Sequence, residues 1–131
     1  MGGMAGRLIL DSGALIGWQR NDKNVWRYVA EAATHGASVV VPVVVIAECI
    51  RGGRKDAAIH RLLKAARIPF VGERTAIQAG YLLGEAGIDA VIDALVAAEA
   101  IRGGPCLLLT SDPSDLAALV GNRPYVRIVG V

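Results

Sequence analysis

The sequence predicts an α/β fold, a three-layer α/β/α sandwich around a parallel central sheet, and three observations carry that expectation. Short apolar runs alternate with helical stretches from one end of the chain to the other. The runs are continuously apolar, as strands buried on both faces require. The composition is 53% hydrophobic but only 5% aromatic, which suits a dense core of Val, Ile, Leu and Ala. At 131 residues the chain is expected to form a single domain over 1–131, with 1–6 flexible.

Taken in order, Arg7-Leu8-Ile9-Leu10 reads as a buried strand ending at Asp11, and a helix begins at Ser12-Gly13-Ala14-Leu15-Ile16. Residues 23–35 carry Val25, Trp26, Val29 and Ala32 near helical spacing, and Gly36 stands where that helix stops. Ala37 to Val41 is β-branched and apolar, a second buried strand. Pro42 suits the first turn of a helix that carries Glu48 and ends near Gly52-Gly53. Residues 55–66 place Ala58, Ile59, Leu62, Leu63 and Ala66 on one helical face, and 68–71 is a short strand or an extended link. Helices are expected over 73–86 and 89–102, separated by Gly87. A strand over 106–109, a short helix over 113–120 and a last strand over 125–129 complete the pattern.

The acids carry the functional signal. In an open parallel sheet, ligands bind beyond the carboxyl ends of the strands. Asp11 follows the first strand directly and Asp112 comes three residues after Leu109, so topology places both at one edge. Glu48 has Val44, Val45, Cys49 and Ile50 around it, which predicts a position on the core side or its margin. An unpaired carboxylate is costly there. Asp93 sits in similar company within Ile92-Asp93-Ala94-Leu95, with Asp89 expected one turn earlier on the same face. Converging carboxylates repel and raise one another's pKa, a problem that a hard divalent cation such as Mg²⁺ removes. A cation held in this way lowers the pKa of its water and stabilises charge on a phosphodiester under attack.

Four segments bring these acids to a family. Leu10-Asp11-Ser12-Gly13-Ala14-Leu15-Ile16 resembles the first motif of PIN-domain nucleases. Ile46-Ala47-Glu48-Cys49-Ile50-Arg51-Gly52-Gly53 resembles the second, and Asp93-Ala94-Leu95-Val96-Ala97-Ala98 the third. Leu109-Thr110-Ser111-Asp112-Pro113-Ser114-Asp115-Leu116 is similar to the fourth, with Leu116 in place of the usual aromatic and Asp89 as an additional acid upstream. The four occur in the family's order, and the chain's size and lack of extra domains look most like the VapC toxins of bacterial toxin–antitoxin pairs.

The resemblance implies an endoribonuclease that hydrolyses RNA with a metal-activated water, uses Mg²⁺ or Mn²⁺, and is restrained by a small antitoxin protein. It implies Asp11 and Asp93 as direct metal ligands, with Glu48 and Asp112 completing the acidic cluster and Asp115 supporting it. Ser12 and Thr110 would hydrogen-bond neighbouring acids or substrate phosphate. A homodimer, or a hetero-oligomer with the antitoxin, is the assembly it suggests.

Plainer readings stand beside these. Asp11 or Ser12 can cap a helix, Glu48 and Asp93 can face solvent, and Asp112-Pro113-Ser114-Asp115 reads well as an N-cap followed by Pro and a dipole-favoured acid. Arg51, Arg54, Lys55, Arg61, Lys64 and Arg67 gather six of the 14 cations, as a solvated face or an RNA-backbone contact. Trp18 and Trp26 either pack in the core or anchor a partner.

Other classes are disfavoured. His35 and His60 have no metal or triad spacing, and Cys49 and Cys106 read as reduced core thiols. No Ser-His or Cys-His pair announces a covalent mechanism. A haloacid-dehalogenase-like phosphatase would want an acid at position 13, which is Gly, and a receiver domain would want paired acids that are absent. A PIN-like module with a silent site is the remaining rival. No apolar run approaches a membrane span and no signal or myristoylation pattern is present, so a cytoplasmic location is expected.

Overall fold

In the computed structural model, which describes residues 6–131, four strands form one all-parallel sheet in the order β2-β1-β3-β4. The expected flexible stretch 1–6 lies outside the described residues except for Gly6, whose carbonyl accepts the Ser38 N–H at 3.2 Å. The element order is β1 (Arg7–Leu10), α1 (Ser12–Gln19), α2 (Lys23–Thr34), β2 (Ser38–Val40) and α3 (Val43–Cys49). It continues with α4 (Asp56–Ala65), α5 (Glu73–Ala86), α6 (Val91–Arg102), β3 (Cys106–Thr110), α7 (Pro113–Val120) and β4 (Val126–Gly130). The helices cover the sheet as a three-layer α/β/α sandwich. Helix α1 packs on α2, α3 and α4, while α5, α6 and α7 pack on one another.

The central strands explain their own placement. Leu8, Ile9 and Leu10 of β1 and Leu108 and Leu109 of β3 are fully buried, so each strand has apolar cover on both faces. Each such side chain stabilises the fold by about 1.5–3 kcal/mol relative to exposure. Leu10 pairs in register with Leu109, which sets the ends of β1 and β3 side by side. The residues that follow, Asp11 and Ser111-Asp112, therefore emerge together at the carboxyl edge.

At the edges of elements, one open alternative is decided and one expectation is corrected. Residues 68–71 take the link and not the strand: Arg67 makes a single bridge to Val40, then Pro69, with no N–H to give, accepts the Val43 N–H and ends the pairing. Helix α6 begins at Val91 and not at 89, because Ala90 takes the N-cap position and its carbonyl accepts the Ala94 N–H at 2.9 Å. Asp89 consequently lies in the preceding link, exposed, and shares no helical face with Asp93. Gly87, at φ 68°, closes α5 in the left-handed region.

The two tryptophans tie helices together. Their rings stack at 3.9 Å with an 8° interplanar angle. The Trp18 indole donates to the Ala58 carbonyl at 2.9 Å and the Trp26 indole to the Trp18 carbonyl at 3.0 Å. No helix among the described residues is long and apolar enough to cross a membrane.

Gly13 is required for space. A Cβ there would overlap the Ser111 side chain and come within 3.2 Å of the Ser111 amide nitrogen. Helix propensity favours Gly13→Ala by up to about 1 kcal/mol, but overpacking costs about 1–3 kcal/mol, so the substitution is expected to lower the melting temperature. Adding Ser111→Gly should restore most of the stability. A Gly13→Ala variant as stable as the wild type would contradict this close approach.

Candidate active site

Five carboxylates gather at the carboxyl edge of β1 and β3. Asp11 is the N-cap of α1: its Oδ1 accepts the Ala14 N–H at 3.0 Å, and its own amide continues the ladder to the Leu109 carbonyl at 3.1 Å. Capping and membership of the cluster therefore coexist. The residue is 5% exposed, and burial pushes its carboxyl pKa up. Hydrogen bonding from Thr110 and from the Ala14 and Gly13 amides pulls the other way, and the nearby Glu48 charge adds to the rise.

Asp112 occupies the N-cap position of α7 with Pro113 behind it, yet its side chain makes no capping hydrogen bond. Its carboxylate faces the other acids instead. Thr110, fully buried, accepts the Asp112 N–H on its hydroxyl at 2.8 Å, which fixes the turn after β3. Ser114 donates to Asp112 Oδ1 at 3.4 Å. Asp115, in the first turn of α7, lies close enough to Asp112 to share a hydrogen bond with it, and that bond and the Asp112 charge raise its pKa.

Asp93, in the first turn of α6, completes the group. Asp93, Asp112 and Asp115 each offer a carboxylate oxygen, and all three oxygens lie within 4.8 Å of one another. The Asp93 carboxyl is pushed up to about 6, first by burial and then by the charges of Asp11, Asp112, Asp115 and Glu48. Crowding of this kind marks a place built for positive charge. The donors are all hard oxygens, which fits Mg²⁺ or Mn²⁺ and not a thiolate-seeking metal.

Glu48 departs from its expected position. Val45 and Cys49, four residues apart, form the buried stripe of α3, and Glu48 lies off it and is exposed. It still joins the cluster, because Ser12 donates its hydroxyl hydrogen bond to Glu48 Oε1 across the α1–α3 contact. The structure thus brings Asp11, Glu48, Asp93, Asp112 and Asp115 to one edge and leaves Asp89 away from any helical face of the site. His35 bonds the Glu31 carbonyl at 2.9 Å and His60 is exposed on α4, so neither joins the acids. Cys49 is 6% exposed, and burial pushes its thiol up to about 11, which keeps it protonated and inert.

One acid escaped sequence reasoning. Asp56 is 4% exposed, and its carboxylate accepts the amides of Arg51, Gly52 and Gly53, the shortest at 2.6 Å. Those backbone bonds hold its pKa down. A signal for it exists in the sequence: an acid three residues after a Gly pair, at the start of a helix.

The crowded acids make a pH prediction. Asp93 binds its proton up to about pH 6 in the folded chain but only to its ordinary value of 3.8 when unfolded, so the native state binds more protons in between. In metal-free buffer, stability is expected to fall as pH rises from about 4 to about 6 and to stay lower above. Asp93→Asn should flatten that decline and raise stability at pH 7 by about 1–2 kcal/mol, allowing for solvent screening at a half-buried site. Thermal melts in EDTA across that range check it; a less stable variant at pH 7 would count against the repulsion.

Comparison with known proteins agrees with this architecture. A family model described as the PIN domain matches residues 8–119. Among solved structures, the chain is similar to one in the crystal structure of VapBC2 from Rickettsia felis bound to a DNA fragment from their promoter. That likeness has a TM-score of 0.74 at 14% identity, covering 95% of this chain and 98% of the other. It is also similar to a chain of FitAcB from Neisseria gonorrhoeae, at a TM-score of 0.66 and 17% identity, covering 94% and 96% respectively. At such identities the likeness is one of fold. Comparison with curated protein sequences gives no match. With the family model running from the first strand through nearly all of the helix that carries Asp115, the chain belongs to the PIN domain family.

Proposed function

We propose that this chain is a divalent-metal-dependent endoribonuclease and the toxin of a toxin–antitoxin pair. The observation that carries the reading is the set of Asp93, Asp112 and Asp115 oxygens within 4.8 Å, flanked by Asp11 and Glu48 at the carboxyl edge of the sheet. Membership of the PIN family and the fold likeness to the VapBC2 chain support it.

Asp93, Asp112 and Asp115 would hold Mg²⁺ or Mn²⁺, with the buried Asp11 beside them adding negative charge or a further ligand. When bound, the cation supplies Lewis acidity toward a phosphoryl oxygen and makes water a competent nucleophile near neutral pH. The protein's own residues set the geometry for that chemistry. Thr110 fixes the Asp112 turn, and Ser12 fixes the exposed Glu48 carboxylate at the mouth, where it orients incoming water and takes up its proton. Catalysis is by positioning and charge, with no covalent enzyme intermediate: neither histidine reaches the acids, and the buried Cys49 thiol stays protonated. The enzyme works in the cytoplasm as one domain, as a homodimer or in a hetero-oligomer with a small antitoxin protein.

Asp93→Asn and Asp112→Asn are each expected to lower Mn²⁺-dependent cleavage of a labelled single-stranded RNA by about two orders of magnitude or more, with circular dichroism unchanged. Asp11→Asn should do the same, with some weakening of the α1 cap. Wild-type rates in the Asp93 and Asp112 variants would refute the assignment.

A further inference from the structure

Beside the acids lies a recess of about 560 Å³ whose chemistry is the opposite of theirs. Its walls are the end of α1 and the α3–α4 link, and four cations line it: Arg20, Arg51, Arg54 and Lys55. The single acid in its lining, Asp56, is 4% exposed and spends its carboxylate on the Arg51, Gly52 and Gly53 amides. It stays ionised but makes no ion pair with the cations, so the lining keeps an excess of positive charge. None of the four makes an ion pair among the described residues, where the one such pair is Arg7 with Glu99.

The recess is also fixed in shape. Arg51 Nη1 donates to the Ala47 and Ile50 carbonyls at 3.2 and 2.8 Å, which holds the guanidinium at the rim. Gln19 donates to the Lys55 carbonyl at 2.9 Å and locks the link against α1. Cys49, in the wall, directly follows Glu48, and its thiol contacts the Ser12 carbonyl at 3.5 Å. The recess and the acidic cluster are therefore two sides of one α1–α3 contact.

We propose that this recess is a phosphate-binding subsite that holds the RNA backbone next to the scissile bond. The inference rests on the nuclease reading above and adds the groups that seat the strand. A polyanion crossing the carboxylates needs cations immediately beyond them, or the metal-free acids would repel its neighbouring phosphates. Arginine forks and a lysine presented from two elements match non-bridging phosphate oxygens without reading base sequence.

The test uses a fluorescein-labelled 20-nucleotide oligouridylate in EDTA, with binding read by anisotropy over a range of KCl concentrations. A triple variant carrying Arg20→Ala, Arg54→Ala and Lys55→Ala removes three phosphate-binding side chains at once. It should lower the salt slope of log affinity by about 2 and weaken affinity about tenfold or more. A control carrying Arg27→Ala, Arg74→Ala and Arg127→Ala, which removes the same charge elsewhere, should bind nearly as the wild type does. If the recess variant keeps the wild-type slope, or if the control weakens as much, the subsite is overturned while the nuclease reading stands. If wild-type protein neither binds the oligouridylate nor cuts RNA with Mn²⁺, both readings fall. Displacement by an oligoglutamate peptide at lower concentration than by unlabelled oligouridylate would make the recess a peptide site and overturn the assignment.

Discussion

Mutual repulsion among carboxylates at the end of a buried sheet is the constraint around which the rest of this chain is arranged. Asp11 and Asp112 are set at one edge, because β1 and β3 are adjacent and in register and both are sealed by apolar cover. Asp93 and Asp115 then enter from the first turns of α6 and α7. The cost is visible in the Asp93 carboxyl, pushed up to about 6 first by burial and then by the charges of the other acids. Nothing in ordinary packing recovers such a cost. A core of fully buried Leu, Ile, Val and Ala side chains supports it, as functional sites commonly require of their scaffold.

Small devices keep the crowded edge in place. Gly13 lets α1 approach Ser111, Thr110 fixes the turn that presents Asp112, and Ser12 links α1 to Glu48 on α3. None of these interactions is large in energy. A typical net hydrogen bond is worth about 1 kcal/mol. Their effect is positional, holding donors from α1, α3, α6 and α7 at one point.

Much of this is legible in the sequence because it depends on local signals. Continuous apolar runs mark β1 and β3, and the strand-end rule puts Asp11 and Asp112 at one edge from topology alone. The parts that are not legible depend on where a helix begins or how it rolls. Asp89 looks like a partner of Asp93 only if α6 starts two residues earlier, and the Ala90 cap removes it. Glu48 looks buried because its neighbours are apolar, yet on a seven-residue helix an offset of about 60° from Val45 suffices to expose it. Asp115 reads most simply as an acid favoured by a helix dipole. Its approach to Asp93 is a tertiary fact that no local pattern encodes. Three cations of the recess, Arg51, Arg54 and Lys55, stand out in the sequence as part of a basic cluster. Their meeting with Arg20, more than thirty residues away, is a tertiary fact of the same kind.

Acidic cluster and basic recess divide one surface between two tasks, gathering a cation and seating a polyanion. The first is the more fundamental, and titration calorimetry with Mn²⁺ tests it most directly. At pH 6 the wild-type chain should bind Mn²⁺ with release of a fraction of a proton, a release that vanishes by about pH 8. A chain carrying Asp112→Asn and Asp115→Asn should lose the binding. Equal Mn²⁺ affinity in both proteins, or none in the wild type, would contradict the shared-cation account.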